Sequence, residues 1–231
     1  MFASRGKLRQ SVVFLLGAGT AVALGCGLLG IRSIPSSDRR SAIRWAEKRF
    51  QVIKPFLRKD AVAAELGVLK GDFSRLIVRD LHPAKLHLVD PWYLQGPEWS
   101  WERGDRSTVR ALAGVVRDFE SELSQGQVVL DVEYDQDFLA TLPDAYFDWV
   151  YLDTTHEYQQ TKMELQLLQR KVKPSGVIAG DDWQPNPAHR DHGVYQAVQE
   201  LIAEGRYVIL YADPRSLQWA IRQATPSARY P

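Results

Sequence analysis

The run from Phe147 to Trp183, FDWVYLDTTHEYQQTKMELQLLQRKVKPSGVIAGDDW, constrains the fold more than any other part of the chain, because it reads as strand, helix, strand with acids closing each strand. Residues 147–153 are rich in aromatic and β-branched side chains and suit a buried strand. Residues 157–172 repeat apolar or long side chains at Met163, Leu165, Leu167, Leu168 and Val172, a helical period that Lys173-Pro174-Ser175-Gly176 ends. Residues 177–180 form a second short strand, closed by Asp181 and Asp182. A helical crossover between two buried strands makes them parallel and sets both C-terminal ends on one edge of the sheet. Asp153, Asp181 and Asp182 are therefore predicted to meet there, at the edge where open α/β sheets hold ligands.

Three carboxylates facing one another raise each other's pKa unless a cation neutralises them. A hard divalent ion such as Mg2+, Mn2+ or Ca2+ meets that need through oxygen ligands, and no cysteine or paired-histidine spacing offers a zinc site. The competing reading is that these acids cap helices or pair with arginines.

The N-terminal part has a different character. Residues 1–10 form a basic tail carrying Arg5, Lys7 and Arg9. Residues 11–31 hold no charge at all, and roughly 21 residues suffice to cross a bilayer as a helix. A single-pass membrane anchor is the expectation. Two rival readings meet the same residues: Gly17 and Gly19 resemble the opening of a dinucleotide-binding turn but lack the third glycine, and Ala21-Val22-Ala23 resembles a signal-peptidase site. After the apolar run come Arg32, Arg39, Arg40, Arg44, Lys48 and Arg49, more cations than precede it, which predicts a cytoplasmic catalytic domain. Residues 32–60 then read as linker and helix, and 61–231 as the catalytic domain. A 231-residue chain that is 45% hydrophobic has room for one full core, and its net charge of +1 lacks the basic excess of a nucleic-acid binder. Cys26 is the only cysteine, so no intrachain disulfide forms.

From residue 36 the elements follow in order. Ser37 or Asp38 caps a helix whose face holds Ile43, Ala46, Phe50, Ile53 and Leu57. Residues 61–67 are a first strand, Gly67 to Gly71 a turn into a helix ending near Asp80, and 85–90 a second strand. Glycine lets backbone approach a ligand closely, and a strand-end carboxylate can accept both hydroxyl hydrogens of a ribose. Glu65, Gly67, Gly71 and Asp90 therefore form a candidate nucleotide site, against the plain reading that the glycines only close a turn. Residues 91–104 gather Trp92, Tyr93, Trp99 and Trp101, suited to covering a nucleotide, stacking on a sugar, meeting a membrane interface or packing as a lid. Helix 105–123, strand 127–133, a short helix to Leu142, the central unit, a polar loop over 184–193, helix 194–203 and strands 207–211 and 217–221 complete the pattern.

Five βα-type units ending in a strand pair, with an acid-and-glycine first turn and an acid closing the second strand, resemble the class I S-adenosylmethionine-dependent methyltransferases over roughly residues 62–221. Within them, FDWVYLDTTHEY followed by KPSGVIAGDD is similar to the group of small-molecule and sugar O-methyltransferases related to macrocin O-methyltransferase. The resemblance implies a doubly wound, mostly parallel, seven-stranded Rossmann-like sheet. It implies that Glu65, Gly67 and Gly71 hold the amino-acid end of S-adenosylmethionine, Asp90 its ribose, and Asp135 or Asp137 its adenine side. Asp153, Asp181 and Asp182 would bind Mg2+ or another hard divalent ion, with Asp153 and His156 the catalytic pair. Two departures stand out: Leu69 replaces a common middle glycine of the turn, and Ser175 the first of a common Gly-Gly pair. The expected activity is metal-assisted O-methylation of a sugar or other small polyol-like acceptor, a small molecule or a glycan, with no nucleic-acid partner. The alternatives are metal-independent methyl transfer and a membrane-tethered, non-catalytic protein retaining the fold.

Overall fold

The computed structural model describes residues 36–94 and 106–224. Its strands are β1 (Val62–Leu66), β2 (Lys85–Val89), β3 (Val128–Asp131), β4 (Phe147–Leu152), β5 (Val172–Gly180), β6 (Tyr207–Asp213) and β7 (Gln218–Gln223). Its helices are α1 (Ser36–Ile53), α2 (Asp72–Leu81), α3 (Arg106–Asp118), α4 (Glu120–Ser124), α5 (Asp135–Thr141), α6 (Tyr158–Lys171) and α7 (His192–Ala203). All seven strands join one sheet in the order β3-β2-β1-β4-β5-β7-β6. The first five are parallel, and β7 runs antiparallel between β5 and β6. The expected mostly parallel sheet is the one observed. The anchor expected over 11–31 lies outside the described residues; among those described, no helix is long and apolar enough to cross a membrane.

Strand β4 shows why the sheet is covered on both sides. Trp149 and Tyr151 enter one core, while Val150 and Leu152 enter the other. A strand apolar on both faces is the signature of a parallel sheet between two helical layers. Phe50 and Ile53 of α1, Phe73 and Ile77 of α2 and Val115 of α3 fill the first core; Phe138, Leu165, Leu168, Val198 and Leu201 from α5, α6 and α7 fill the second. Each such buried side chain stabilises the fold by about 1.5–3 kcal/mol.

Three local expectations need correction. Ile43 and Met163 are 37% and 40% exposed and lie off the buried stripes. Those stripes run instead through Ala46, Phe50 and Ile53 on α1 and through Thr161, Glu164, Leu165 and Leu168 on α6. Strand β5 begins at Val172, where the helix stops, rather than at Val177. Its pairing with β4 slips from Phe147–Val172 to Trp149–Val177, so Pro174 sits in an irregularity where it interrupts no ladder bond.

The C-terminal strand ends are tied together by backbone. Gly67 N–H donates to Val89 O at 2.9 Å, Asp153 N–H to Leu66 O at 2.8 Å, and Asp181 N–H to Leu152 O at 3.0 Å. The residues following β1, β2, β4 and β5 thus form one continuous rim.

Candidate active site

The β1 end of this rim is built from backbone. Gly67 has φ of +86°, and a Cβ there would lie 1.9 Å from the Asp153 carbonyl oxygen, so only glycine lets the turn pass under the end of β4. Leu69 adopts φ of +49°, keeping the left-handed conformation that glycine would take more easily, at a cost of about 1–2 kcal/mol. Asp90, buried at the end of β2, accepts N–H bonds from Val68 and Leu69 on one oxygen, both 2.9 Å, and from Trp92 on the other, 2.7 Å. The carboxylate predicted to meet a ribose therefore also pins the glycine turn, and three bonds leave it acceptor capacity for a ligand. Trp92, fully buried, donates its indole N–H to Leu69 O at 2.9 Å and closes the turn from outside. Glu65 accepts a 2.5 Å bond from the Ser74 hydroxyl. Burial pushes its carboxyl up to about 8, with Ser74 and the Arg49 charge pulling the other way.

The β4–β5 end is built from side-chain charge. Nη1 of Arg49, on α1, bonds both Asp153 Oδ2, at 2.9 Å, and Asp181 Oδ2. Asp181 is buried; its other oxygen accepts Gln218 Nε2 at 2.6 Å and the Asp182 N–H at 2.9 Å. Gln218 in turn accepts the Tyr151 hydroxyl at 2.8 Å. Burial and the Asp153 charge raise the Asp181 carboxyl to about 7, against the pull of Arg49. Asp182 Oδ2 pairs with His156 Nδ1. Burial alone would lower the His156 imidazole, but the bond to Asp182 overrides it and lifts the group to about 9. His156 and Asp182 both hold left-handed backbone, φ +64° and +63°. Such conformations cost about 1–3 kcal/mol each in non-glycine residues and concentrate at functional sites.

The three strand-end acids do converge, and the chain itself supplies two cations to them. Arg49 and the charged His156 do much of the neutralising for which the sequence suggested a metal. The expected trio of Asp153, Asp181 and Asp182 is also not the set that shares one point: the donor atoms within 4.8 Å of one another belong to Asp153, His156 and Asp182. Asp181 is drawn aside by Arg49 and Gln218. A water-sized cavity of about 10 Å³ lies among these residues, bordered by Thr154 and Glu164.

Asp135 and Asp137 separate. Asp135 is buried at the start of α5 and accepts Gln160 Nε2 at 3.1 Å, whereas Asp137 is exposed, because positions two apart project from different sides of a helix. Trp99 and Trp101 lie outside the described residues. Four residues of the site escaped sequence reasoning: Arg49, Ser74, Glu164 and Gln218. Arg49 follows buried Ala46 by three positions and precedes buried Ile53 by four, a register that marks it as inward-facing. Glu164 sits likewise beside Leu165 on the buried stripe of α6, where Thr154 donates to it at 2.8 Å and burial raises its carboxyl strongly. No comparable signal marks Ser74 or Gln218.

A family model described as a methyltransferase domain matches residues 64–183. Among solved structures, the chain is similar to the S-adenosylhomocysteine-bound methyltransferase PaMTH1 of Podospora anserina, with TM-score 0.54, 14% identity, and 87% of this chain and 100% of that one covered. It is also similar to the 1,6-didemethyltoxoflavin-N1-methyltransferase of Burkholderia thailandensis, at TM-score 0.55 and 11% identity over 82% of each chain. A SAM-dependent methyltransferase from Aquifex aeolicus matches at TM-score 0.53 and 17% identity, over 82% of this chain and 97% of that one. At these identities the likeness is one of fold. No curated protein matches the sequence.

Proposed function

The chain belongs to this methyltransferase family, and from that premise we propose that it moves a methyl group from S-adenosylmethionine to a hydroxyl of a sugar or other small polyol-like acceptor. The observation that carries the reading is the Asp182–His156 pair, held in left-handed backbone where the rim abuts the glycine turn. The residues present suit the donor. Gly67 to Gly71 form a close-approach turn, Asp90 keeps acceptor capacity for a ribose, and the buried Arg49 Nε has no hydrogen-bond partner among the described residues. When bound, the donor presents an electrophilic methyl carbon on a sulfonium, so the protein's share is alignment and removal of one proton.

His156 supplies the base. Asp182 engages Nδ1, which fixes the ring and leaves Nε2 as the atom to take the hydroxyl proton. Because the imidazole is raised to about 9, only its minority neutral form accepts a proton at pH 7. Arg49 keeps Asp153 and Asp181 compensated while that proton moves.

A second reading, metal-assisted transfer, is favoured by one observation, the convergence of Asp153, His156 and Asp182 donor atoms within 4.8 Å. These three would hold Mg2+ or a similar ion, which would acidify the acceptor hydroxyl.

Both readings are tested with methyl-labelled S-adenosylmethionine and a panel of sugars and polyols, with and without EDTA. Turnover that rises with pH towards about 9, falls on the order of 10²–10⁴-fold in His156→Gln and ignores EDTA is the expected result. Activity abolished by EDTA and restored by Mn2+ would transfer the assignment to the second reading. Donor binding without turnover of any acceptor would refute the acceptor class.

A further inference from the structure

Arg49 offers more than its pairing with two acids requires. Nη1 alone makes both carboxylate bonds, the side chain is 12% exposed, and the buried Nε finds no acceptor among the described residues. Buried donors rarely go unpaired, and each one costs about 1–3 kcal/mol. The idle atom belongs to the side-on edge of the guanidinium, where Nε and Nη2 form a planar fork that matches a carboxylate in bidentate fashion. Neutralising Asp153 and Asp181 needs only a positive charge; an edge those two acids leave unused suits an anion of definite shape.

The surroundings say which anion. The guanidinium carbon lies 5.4 Å from the ring centre of Phe73, in the first turn of α2 directly after Gly71. Asp153, bonded to Arg49 at 2.9 Å, has its carbonyl oxygen against Gly67. Positive and negative groups thus stand side by side at the mouth of the glycine turn. A ligand matching that arrangement carries both charges on adjacent atoms, its ammonium towards Glu65 and Asp153 and its carboxylate towards Arg49. An α-amino acid is such a group.

We propose that Arg49 grips the α-carboxylate of the donor's amino-acid end. Helix α1, which precedes the residues 64–183 matched to the family, thereby becomes part of the donor site. The assignment rests on the donor reading above and adds a specificity-determining residue to it.

The test is calorimetric titration with S-adenosylhomocysteine and with its decarboxylated analogue, which keeps the nucleoside, sulfur and amine but lacks the carboxylate. Arg49→Met should weaken S-adenosylhomocysteine on the order of tenfold to a hundredfold and leave the analogue within about twofold. Arg49→Lys retains charge against Asp153 and Asp181 but removes the fork, and should show the same selective loss at about tenfold. It serves as the working variant if the methionine form does not fold, as thermal melting without ligand reports. Equal weakening of both ligands, or none of either, would overturn the proposal. Wild-type protein that binds neither nucleoside would instead bring down the donor reading itself, and this assignment with it.

Discussion

The two ends of the rim handle buried carboxyl groups by different means. Around β1 and β2, Asp90 and Glu65 are met by N–H groups and a hydroxyl from residues nearby in sequence: Val68, Leu69, Trp92 and Ser74. Around β4 and β5, Asp153, Asp181 and Asp182 are met by full charges, Arg49 from a distant helix and His156 from the same loop. Dipoles hold their partners through short-range geometry and respond little to solution conditions; ion pairs respond to pH and to loss of either partner. The first end should therefore fail chiefly by steric and hydrogen-bond damage, and the second by loss of a charged partner.

The largest effect expected is at the seam between the ends. Gly67→Ala would drive a Cβ into the Asp153 carbonyl at a backbone angle of +86°, and should cost about 3–5 kcal/mol in urea denaturation. A loss under 1 kcal/mol would mean that the turn is free to move away from β4, and the two ends would no longer be one rim. Next comes Asp90→Ala, which strips three N–H groups of their acceptor and should cost about 2–4 kcal/mol. That loss should be nearly the same in low and high salt; strong salt dependence would erase the contrast drawn between the ends.

The smallest effect, and the most diagnostic, is the pH response of the His156–Asp182 pair. His156 is raised from its ordinary 6.5 to about 9, so its contribution is fully present below about 6.5 and disappears as pH climbs through about 9. With 28% of the histidine side chain exposed, about 1–2 kcal/mol is expected after solvent screening. The stability gap between wild type and His156→Gln should therefore narrow from pH 6.5 to pH 9.5. A gap constant over that range would show that the pair carries no titrating charge.

The same division decides what could be read in the sequence. Strand and helix periodicity, the acids closing β1's turn, β2, β4 and β5, and the glycine turn were legible because each depends on a short stretch with its own pattern. In the sequence Arg49 is one more cation flanking an apolar run, since nothing in its neighbourhood points to Asp153, more than a hundred positions away. Its place on the stripe of Ala46, Phe50 and Ile53 was the available clue. Glu164 was passed over for the same reason: apolar periodicity admits no acid, although the helix buries one wherever Thr154 and Gln160 can satisfy it. The splitting of Asp135 from Asp137 needed only the helical period.

Strand β7 reaches back into the acid loop: Gln218 bonds the Asp181 carboxylate, and the Trp219 indole N–H donates to the Asp181 carbonyl at 2.8 Å. Because β7 follows every other strand in the chain, a ribosome delivers these two anchors after all the acids have already emerged. Until then Asp181 has Arg49 and the Asp182 N–H but not these two partners, and domains assemble as whole units during synthesis. The candidate site is thus completed only when β7 joins the sheet, whatever the order in which the helices and remaining strands condense.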